Sequence, residues 1–576
     1  MHTALPHHGA VAAWASARTA LGCTRGRLNL GAAVDRIGAG AAQDRIALQV
    51  GPADGGDAIS YGQLAERTDR IARVLRRIGV RKGDRVFVLL ERGPEFHLAM
   101  LGALKAGAVV APLFAAFGPE PLASRIRVAE GGVLITSAWL HERKVAPLRS
   151  ALPELGAVLL VSGGDAAAAA SGGADTLDLE GLMAEADHGP AAVAMGEDEP
   201  AWLHFTSGTT GTPKAVVHSH AAGIGIHASA REALDLRAGD RFWCTADPGW
   251  VTGTMYGVMA PLLHGATSVI EAGDFDPRRW LDTLGRAAIN VWYTTPTALR
   301  MLMRAQAQDA PPLQLPALRV VASVGEPLNA EAVEWGRRVL GHAVRDTWWQ
   351  TETGAIMIAC TPRHASPPGA MGQPLAGLRA HVVKRLGRGA LEVLDDRAEV
   401  EGELAFEAGW PGMFRAYLGD PAHYAACFCE GLYLSGDLVR RDAKRDFWFL
   451  GRADDMIKSS GHLIGAFEVE RALMAHPAVA EAAAIGLPDP TVGERVKAVV
   501  ALRPEVQASP ALATELRAYA RARLGAVMAP KEIGFAAHLP HTRSGKIMRR
   551  LVRGRELGLP AGDLSMLEEQ PDDEPQ

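Results

Sequence analysis

Across the first three-quarters of the chain, short apolar runs alternate with amphipathic helical stretches, and that alternation limits the fold more than any other feature. Leu64, Ile71, Val74, Leu75 and Ile78 fall on one face of a helix. A turn at "RKGD" follows, then the strand-like run "RVFVLL". "AGAVVAPL", "GVLIT" and "AVLLV" repeat the pattern, and the apolar run Leu98–Phe114 reads as a buried helix leading into a strand. Strand–helix alternation predicts mostly parallel sheets covered by helices. Beyond about Gly451 the pattern changes to helix, two strands, a helix with Ser509 as its N-cap, and a further strand at "KEIGFAAHLP", which predicts a small α+β unit. The expected domains are therefore 1–453 and 454–576, with "GRADD" (Gly451–Asp455) as a charged hinge, and the 576 residues are enough for more than one core.

Composition excludes several classes. Hydrophobic residues make up 48% and charged residues 22%, with a formal net charge of −5, so there is no nucleic-acid footprint. The five cysteines are odd in number and lack zinc spacing, which fits a reducing cytoplasm. No membrane span is expected, and "MHTALPHHGAVAAWASAR" lacks the basic and apolar regions of a signal peptide. "DAAAAASGGAD" reads as a surface insertion and "EEQPDDEPQ" as an acidic disordered tail.

Chemistry enters at "FTSGTTGTPK", Phe205–Lys214. Glycines let backbone N–H groups approach a ligand, hydroxyls add donors, and the lysine adds charge, an inventory suited to a polyphosphate. The P-loop pattern fails, because Pro213 precedes Lys214 and Ala215 follows it. Read alone, a Gly/Ser/Thr cluster is by default a solvated surface loop, and it is the neighbouring segments that overturn that reading.

Further segments follow in order: "SVGEPLN" (Ser323–Asn329), "DTWWQTETG" (Asp346–Gly354), "YLSGDLVRRD", "GRADDMIKSSGHLIGAFEVE" and "LPHTRSGKIMRR". From about Leu28 to Leu567 the set resembles the adenylate-forming enzymes, which include acyl-CoA synthetases, luciferases and peptide-synthetase adenylation domains. "ADPGWVTG", "GEPLN", "DTWWQTETG" and "LPAGDLS" are most similar to the AMP-forming acetyl-CoA synthetases, in particular the shorter bacterial type. The resemblance implies a two-step reaction with ATP, Mg²⁺ and coenzyme A, in which a small carboxylic acid becomes an acyl-adenylate and then a thioester. Acetate is expected first and propionate second.

It also implies residue roles. Thr206, Ser207, Gly208, Thr209, Thr210, Gly211 and Lys214 would hold the phosphates, with Thr206, Glu352 and Lys546 catalytic and Glu352 holding the metal. Gly325, Glu326, Pro327, Asp346, Thr347, Trp348, Gln350, Thr351 and Arg452 would bind the nucleotide, with Asp437 on the ribose. Trp349 would floor a short acyl pocket lined by Val251 and Thr252. Ser460 and Gly461 match the face along which CoA passes, and Asp454 the pivot between two orientations. Acylation of Lys546 would neutralise its charge, which suggests acylating and deacylating enzymes as partners.

Two departures stand out. Leu463 occupies the place of an arginine that reaches the AMP phosphate, and His541 a place where lysine is commoner. His476 matches a metal-contacting position, although a histidine near a helix C-terminus often has a purely structural role. The alternatives are a CoA ligase for another small acid, branched or unsaturated, and a non-catalytic nucleotide sensor motivated by Leu463. A freestanding peptide-synthetase adenylation domain is disfavoured, because no carrier segment follows Lys546.

Overall fold

The computed structural model describes residues 12–52, 56–161, 175–206, 213–306, 311–364, 366–387, 389–395, 397–453, 455–459, 462–490, 492–542, 546–559 and 567. The segment at 207–212 expected to bind phosphates, Asp454, Ser460, Gly461, the alanine-rich segment at 165–174 and the acidic C-terminal residues lie outside them. Two compact units are present. One comprises Met1–Arg379 with Glu407–Gly431, and the other Ala380–Phe406 with Leu432–Gln576.

The first unit is α/β, as the alternation implied. One of its sheets has eight strands, among them Arg85–Leu89, Val109–Leu113, Pro200–Thr206 and Lys214–Ser219. Helices cover it, and their ends obey local rules. Ser60 caps the Tyr61–Arg77 helix through a reciprocal capping box with Gln63. That helix packs on Pro94–Lys105, where a Cβ at Gly102 would come within 2.4 Å of Ile71, so the close approach requires glycine. The Pro94–Lys105 helix and the Val109–Leu113 strand are the buried pair expected at 98–114.

The other sheet of this unit has nine strands, and its centre positions the site. Arg241–Cys244, Val291–Thr294, Val320–Val324 and Val344–Trp348 run parallel, side by side. Buried on both faces, they are rich in apolar and β-branched residues. Trp243 and Trp292 stack at 5.8 Å between ring centroids in the cluster that also buries Trp280 and Leu299.

The second unit contains the small α+β fold expected near the C-terminus. Val479–Asp489 pairs antiparallel with Gly493–Leu502, which pairs parallel with Glu532–Ala536. Ser509 caps the Pro510–Met528 helix by accepting from Leu512 N at 3.2 Å. The five cysteines are thiols not joined in disulfides, and among the described residues no helix is long and apolar enough to cross a membrane.

Candidate active site

The parallel register of the nine-stranded sheet gathers segments more than a hundred residues apart. Cys244 pairs with Tyr293, Thr294 with Ser323, and Ser323 with Asp346. The C-terminal ends of four strands therefore come to one edge, where ligands of open α/β sheets bind. From that edge lead "ADPGWVTG", Gly325–Pro327 and the Trp348–Glu352 segment.

Asp346 is fully enclosed and accepts from Thr347 N at 2.9 Å and Ser323 Oγ at 3.3 Å. Burial pushes its carboxyl up to about 7. Thr347 Oγ1 donates to Ser323 O at 2.7 Å. Trp348 and Trp349 are both buried. Gln350 N donates to Thr353 Oγ1 at 3.0 Å, and Thr351 O faces His218 Nε2 at 2.8 Å, which fixes the turn before Glu352. Gly325 adopts φ +88°, a turn that favours glycine. The carboxylate of Glu326 is engaged locally, accepting from Thr297 Oγ1 and Arg300 Nη2, each at 2.7 Å.

The indole of Trp349 is held between two tyrosines. Its ring lies 5.1 Å from that of Tyr256, and its Nε1 donates to Tyr293 Oη at 3.2 Å. Val251 and Thr252, both half-buried, open the helical segment that carries Tyr256. The preceding turn is packed closely, since a Cβ on Gly253 would fall 1.9 Å from Asp247 O. Trp250 sits against Phe114 at 5.4 Å between ring centroids.

Thr206 and Lys214 are directly paired residues of two antiparallel strands, Pro200–Thr206 and Lys214–Ser219. Lys214 Nζ donates to His423 Nε2 at 2.6 Å and lies 5.6 Å from the centre of the Tyr417 ring. Tyr417 Oη donates to Glu352 Oε1 at 2.8 Å. Burial, with the neighbouring Glu352 carboxylate, holds the Tyr417 hydroxyl above its ordinary range, so it remains a donor. Lysine, tyrosine and glutamate thus form one linked set of side chains.

In the second unit Asp437 and Arg452 face each other across antiparallel strands, with Arg452 Nη1 donating to Asp437 Oδ1 at 2.7 Å. Lys546 is exposed. Its turn is closed by Lys546 N donating to Thr542 Oγ1 at 3.0 Å and Thr542 N to Lys546 O at 2.7 Å. Three residues on, Arg549 pairs through two nitrogens with buried Glu470, each at 2.6 Å, and donates to Asp455 at 2.8 Å. His476 Nε2 lies 3.3 Å from Glu515 Oε1, and its ring meets Tyr519 edge-on. His541 Nε2 lies 3.4 Å from Glu481. The side chain of Leu463 lies outside the described set.

The sequence reading missed Tyr256, Tyr293, Tyr417 and His423. Tyr293 had a detectable signal: it is the last residue but one of the strand-like "VWYT", whose final Thr294 lines up through Ser323 with Asp346. Tyr417 and His423 reach the site through the pairing of Ala416–Tyr417 with the 214–219 strand, which no local pattern announces.

A family profile described as AMP-binding enzyme matches residues 36–418, and one described as AMP-binding enzyme C-terminal domain matches 468–546. The chain belongs to the AMP-binding enzyme family. This AMP-binding enzyme is 43% identical to the acetyl-coenzyme A synthetase of Bacillus subtilis (strain 168) over 526 residues, covering 91% of this chain and 90% of that one. To the acetyl-coenzyme A synthetase of Pyrobaculum aerophilum it is 38% identical, covering 89% and 79%. Among solved structures it resembles a Brucella canis acyl-CoA synthetase at TM-score 0.71 and 32% identity, covering 94% of this chain and 97% of that one. An acetoacetyl-CoA synthetase from Streptomyces lividans, at TM-score 0.82 and 24% identity over 94% of this chain and 85% of that one, shares the fold.

Proposed function

We propose that the protein is an AMP-forming acetate–CoA ligase, with propionate as its second substrate. Family membership and the acetyl-coenzyme A synthetase relatives support the reaction class. The observation that carries the substrate size is the immobilised Trp349 beside the nucleotide-binding strand ends.

In the first step a carboxylate oxygen of acetate attacks the α-phosphorus of ATP. The bond to the β,γ-pyrophosphate breaks, giving acetyl-adenylate and pyrophosphate. In the second the CoA sulfur, having lost its proton, attacks the acetyl carbon, and the carbon–oxygen bond to AMP breaks. Two anions must meet in the first step, so neutralisation and positioning dominate catalysis. Thr206, Lys214 and the 207–212 loop bind the phosphates. Asp346 and Thr347 border the nucleotide, and Asp437, paired with Arg452, accepts the ribose hydroxyls. Lys546 supplies positive charge to adenylation, Ser460 and Gly461 face CoA, and Asp454 is the pivot between the half-reactions.

Magnesium suits Glu352. No group of three or more His, Cys, Asp or Glu able to hold a metal occurs among the described residues, and Mg²⁺ characteristically takes one or two carboxylates plus phosphate oxygens and waters. Glu352, half-buried and oriented by Tyr417, would be such a ligand. When bound, the ion would neutralise phosphate charge.

The test is AMP release from ATP by the purified protein with Mg²⁺ and acetate, with and without CoA. AMP and acetyl-CoA should appear in equal amounts when CoA is present. ATP binding without AMP formation from any short acid would instead favour a nucleotide sensor.

A further inference from the structure

Two buried tyrosines touch Trp349, and their hydroxyls are engaged differently. The indole Nε1 donates to Tyr293 Oη at 3.2 Å, and Tyr293 Oη lies 2.8 Å from Thr347 Oγ1. The Thr347 proton is already given to Ser323 O at 2.7 Å. The Tyr293 hydroxyl therefore donates to Thr347, and one directed chain runs from the indole N–H to a backbone carbonyl of the Val320–Val324 strand. Tyr256 heads a second chain. Its Oη accepts from Ile356 N at 2.6 Å, and Ser229 Oγ donates to Ile226 O at 3.2 Å. Tyr256 thus donates to Ser229 Oγ at 2.8 Å. Tyr256 packs on the indole with its ring, while Tyr293 also holds it by a bond.

Every member of the first chain is buried, and Tyr293 is fully so. Buried polar chains in which each donor and acceptor is matched rigidify their surroundings. An indole has only two side-chain torsions. Packing against Tyr256 restricts them, and the Nε1 bond selects one orientation within that restriction.

We infer that Tyr293 is a positioning residue for acyl-chain length: its hydroxyl pins Trp349 in the orientation that closes the acyl pocket. This rests on the reading of Trp349 as the pocket floor. The bulk of Trp349 is then only half of the selectivity, because an unpinned indole can tilt and admit a longer acid.

The test compares kcat and KM for acetate, propionate and butyrate in wild type, Tyr293→Phe and Tyr256→Phe. Tyr293→Phe leaves the indole N–H without its acceptor and should raise the butyrate-to-acetate ratio of kcat/KM about tenfold. The change should lie in KM, with kcat for acetate within about threefold. Tyr256→Phe removes buried hydrogen bonds too, yet should move the ratio less than about twofold, because the Nε1 bond survives. Replacing Trp349 by its benzothiophene isostere, which keeps the ring volume and lacks the N–H, should reproduce the Tyr293→Phe ratio. It also serves in place of Tyr293→Phe if that variant does not fold. On the isostere background Tyr293→Phe should change nothing further.

Equal shifts from both tyrosine variants, or additive effects of Tyr293→Phe and the isostere, would overturn the inference. So would an unchanged ratio in Tyr293→Phe and in the isostere, provided Trp349→Gly broadens the acid range; the pocket reading would then survive. If Trp349→Gly itself leaves the range unchanged, the pocket reading fails first.

Discussion

Trp349 is buried, packed on Tyr256 and hydrogen-bonded to Tyr293, whereas Lys546 stands exposed in a turn closed by two bonds to Thr542. The first residue is assigned to choosing an acid and the second to delivering charge. Selection by size needs a surface that does not yield, since overpacking is resisted only where neighbours are fixed. Charge delivery needs a flexible cation on an ordered base. Arg549, three residues beyond Lys546, provides that base through its paired bonds to Glu470 and its bond to Asp455. Rigidity thus lies in the side chain at one site and beneath it at the other.

The largest expected effect separates the two roles. Lys546→Ala should lower adenylate formation from acetate and ATP by at least about a hundredfold, the scale of losing one transition-state electrostatic contact. Thioester formation from supplied acetyl-adenylate should stay within a few-fold. Equal loss of both half-reactions, read by pyrophosphate and acetyl-CoA release, would erase the division of labour.

Arg549→Met tests the base. Glu470, with a side chain 3% exposed, would lose its paired cation. Stability of the second unit should fall by about 3 kcal/mol, the scale of breaking a buried pair. An unchanged urea midpoint would show that the Lys546 turn needs no such anchor.

Leu463→Arg sharpens the comparison from the other side. If adenylation lacks a phosphate-directed cation, the variant should raise its rate or lower the ATP KM by about ten- to a hundredfold, the worth of a charge-assisted bond. An unchanged or slower variant would mean that another cation already fills the role.

The remaining effect is read through pH and concerns Asp346. Burial raises its folded-state pKa from 3.8 to about 7, so between those values the folded state keeps a proton that the unfolded state has released. The stability from this group is complete below about pH 4 and declines as pH rises toward 7, with a slope of up to about 1.4 kcal/mol per pH unit. Asp346→Asn should flatten that part of the stability profile in urea titrations from pH 4 to 8. An unaltered slope would place the titration elsewhere.

How much of this was legible depended on where the information lay. The alternating apolar runs foretold parallel sheets, and Ser509 foretold a helix start, because patterning and capping act within a few residues. Asp437 and Arg452 each lay in a motif, but their direct opposition needed the strand register. Tyr293 could have been inferred from its place at the end of a parallel strand, beside the ends that carry Ser323 and Asp346. The links from Tyr417 to Glu352 and from His423 to Lys214 span 65 and 209 residues, and only the assembled sheet brings those partners together. Nothing in "IMRR" sets Arg549 apart from its neighbours, and only the fold brings Glu470 and Asp455 to it.

The central claim is that an immobilised Trp349 makes the acyl pocket short. Catalytic efficiency measured for acetate through octanoate, on wild type and Trp349→Gly, tests it most directly. Wild type should prefer acetate, tolerate propionate at a cost of about 1–3 kcal/mol and nearly exclude butyrate and longer acids. Trp349→Gly should accept linear acids of about four to eight carbons and weaken acetate by removing its contact surface. A wild type that prefers hexanoate, or a glycine variant with the wild-type profile, would contradict the account.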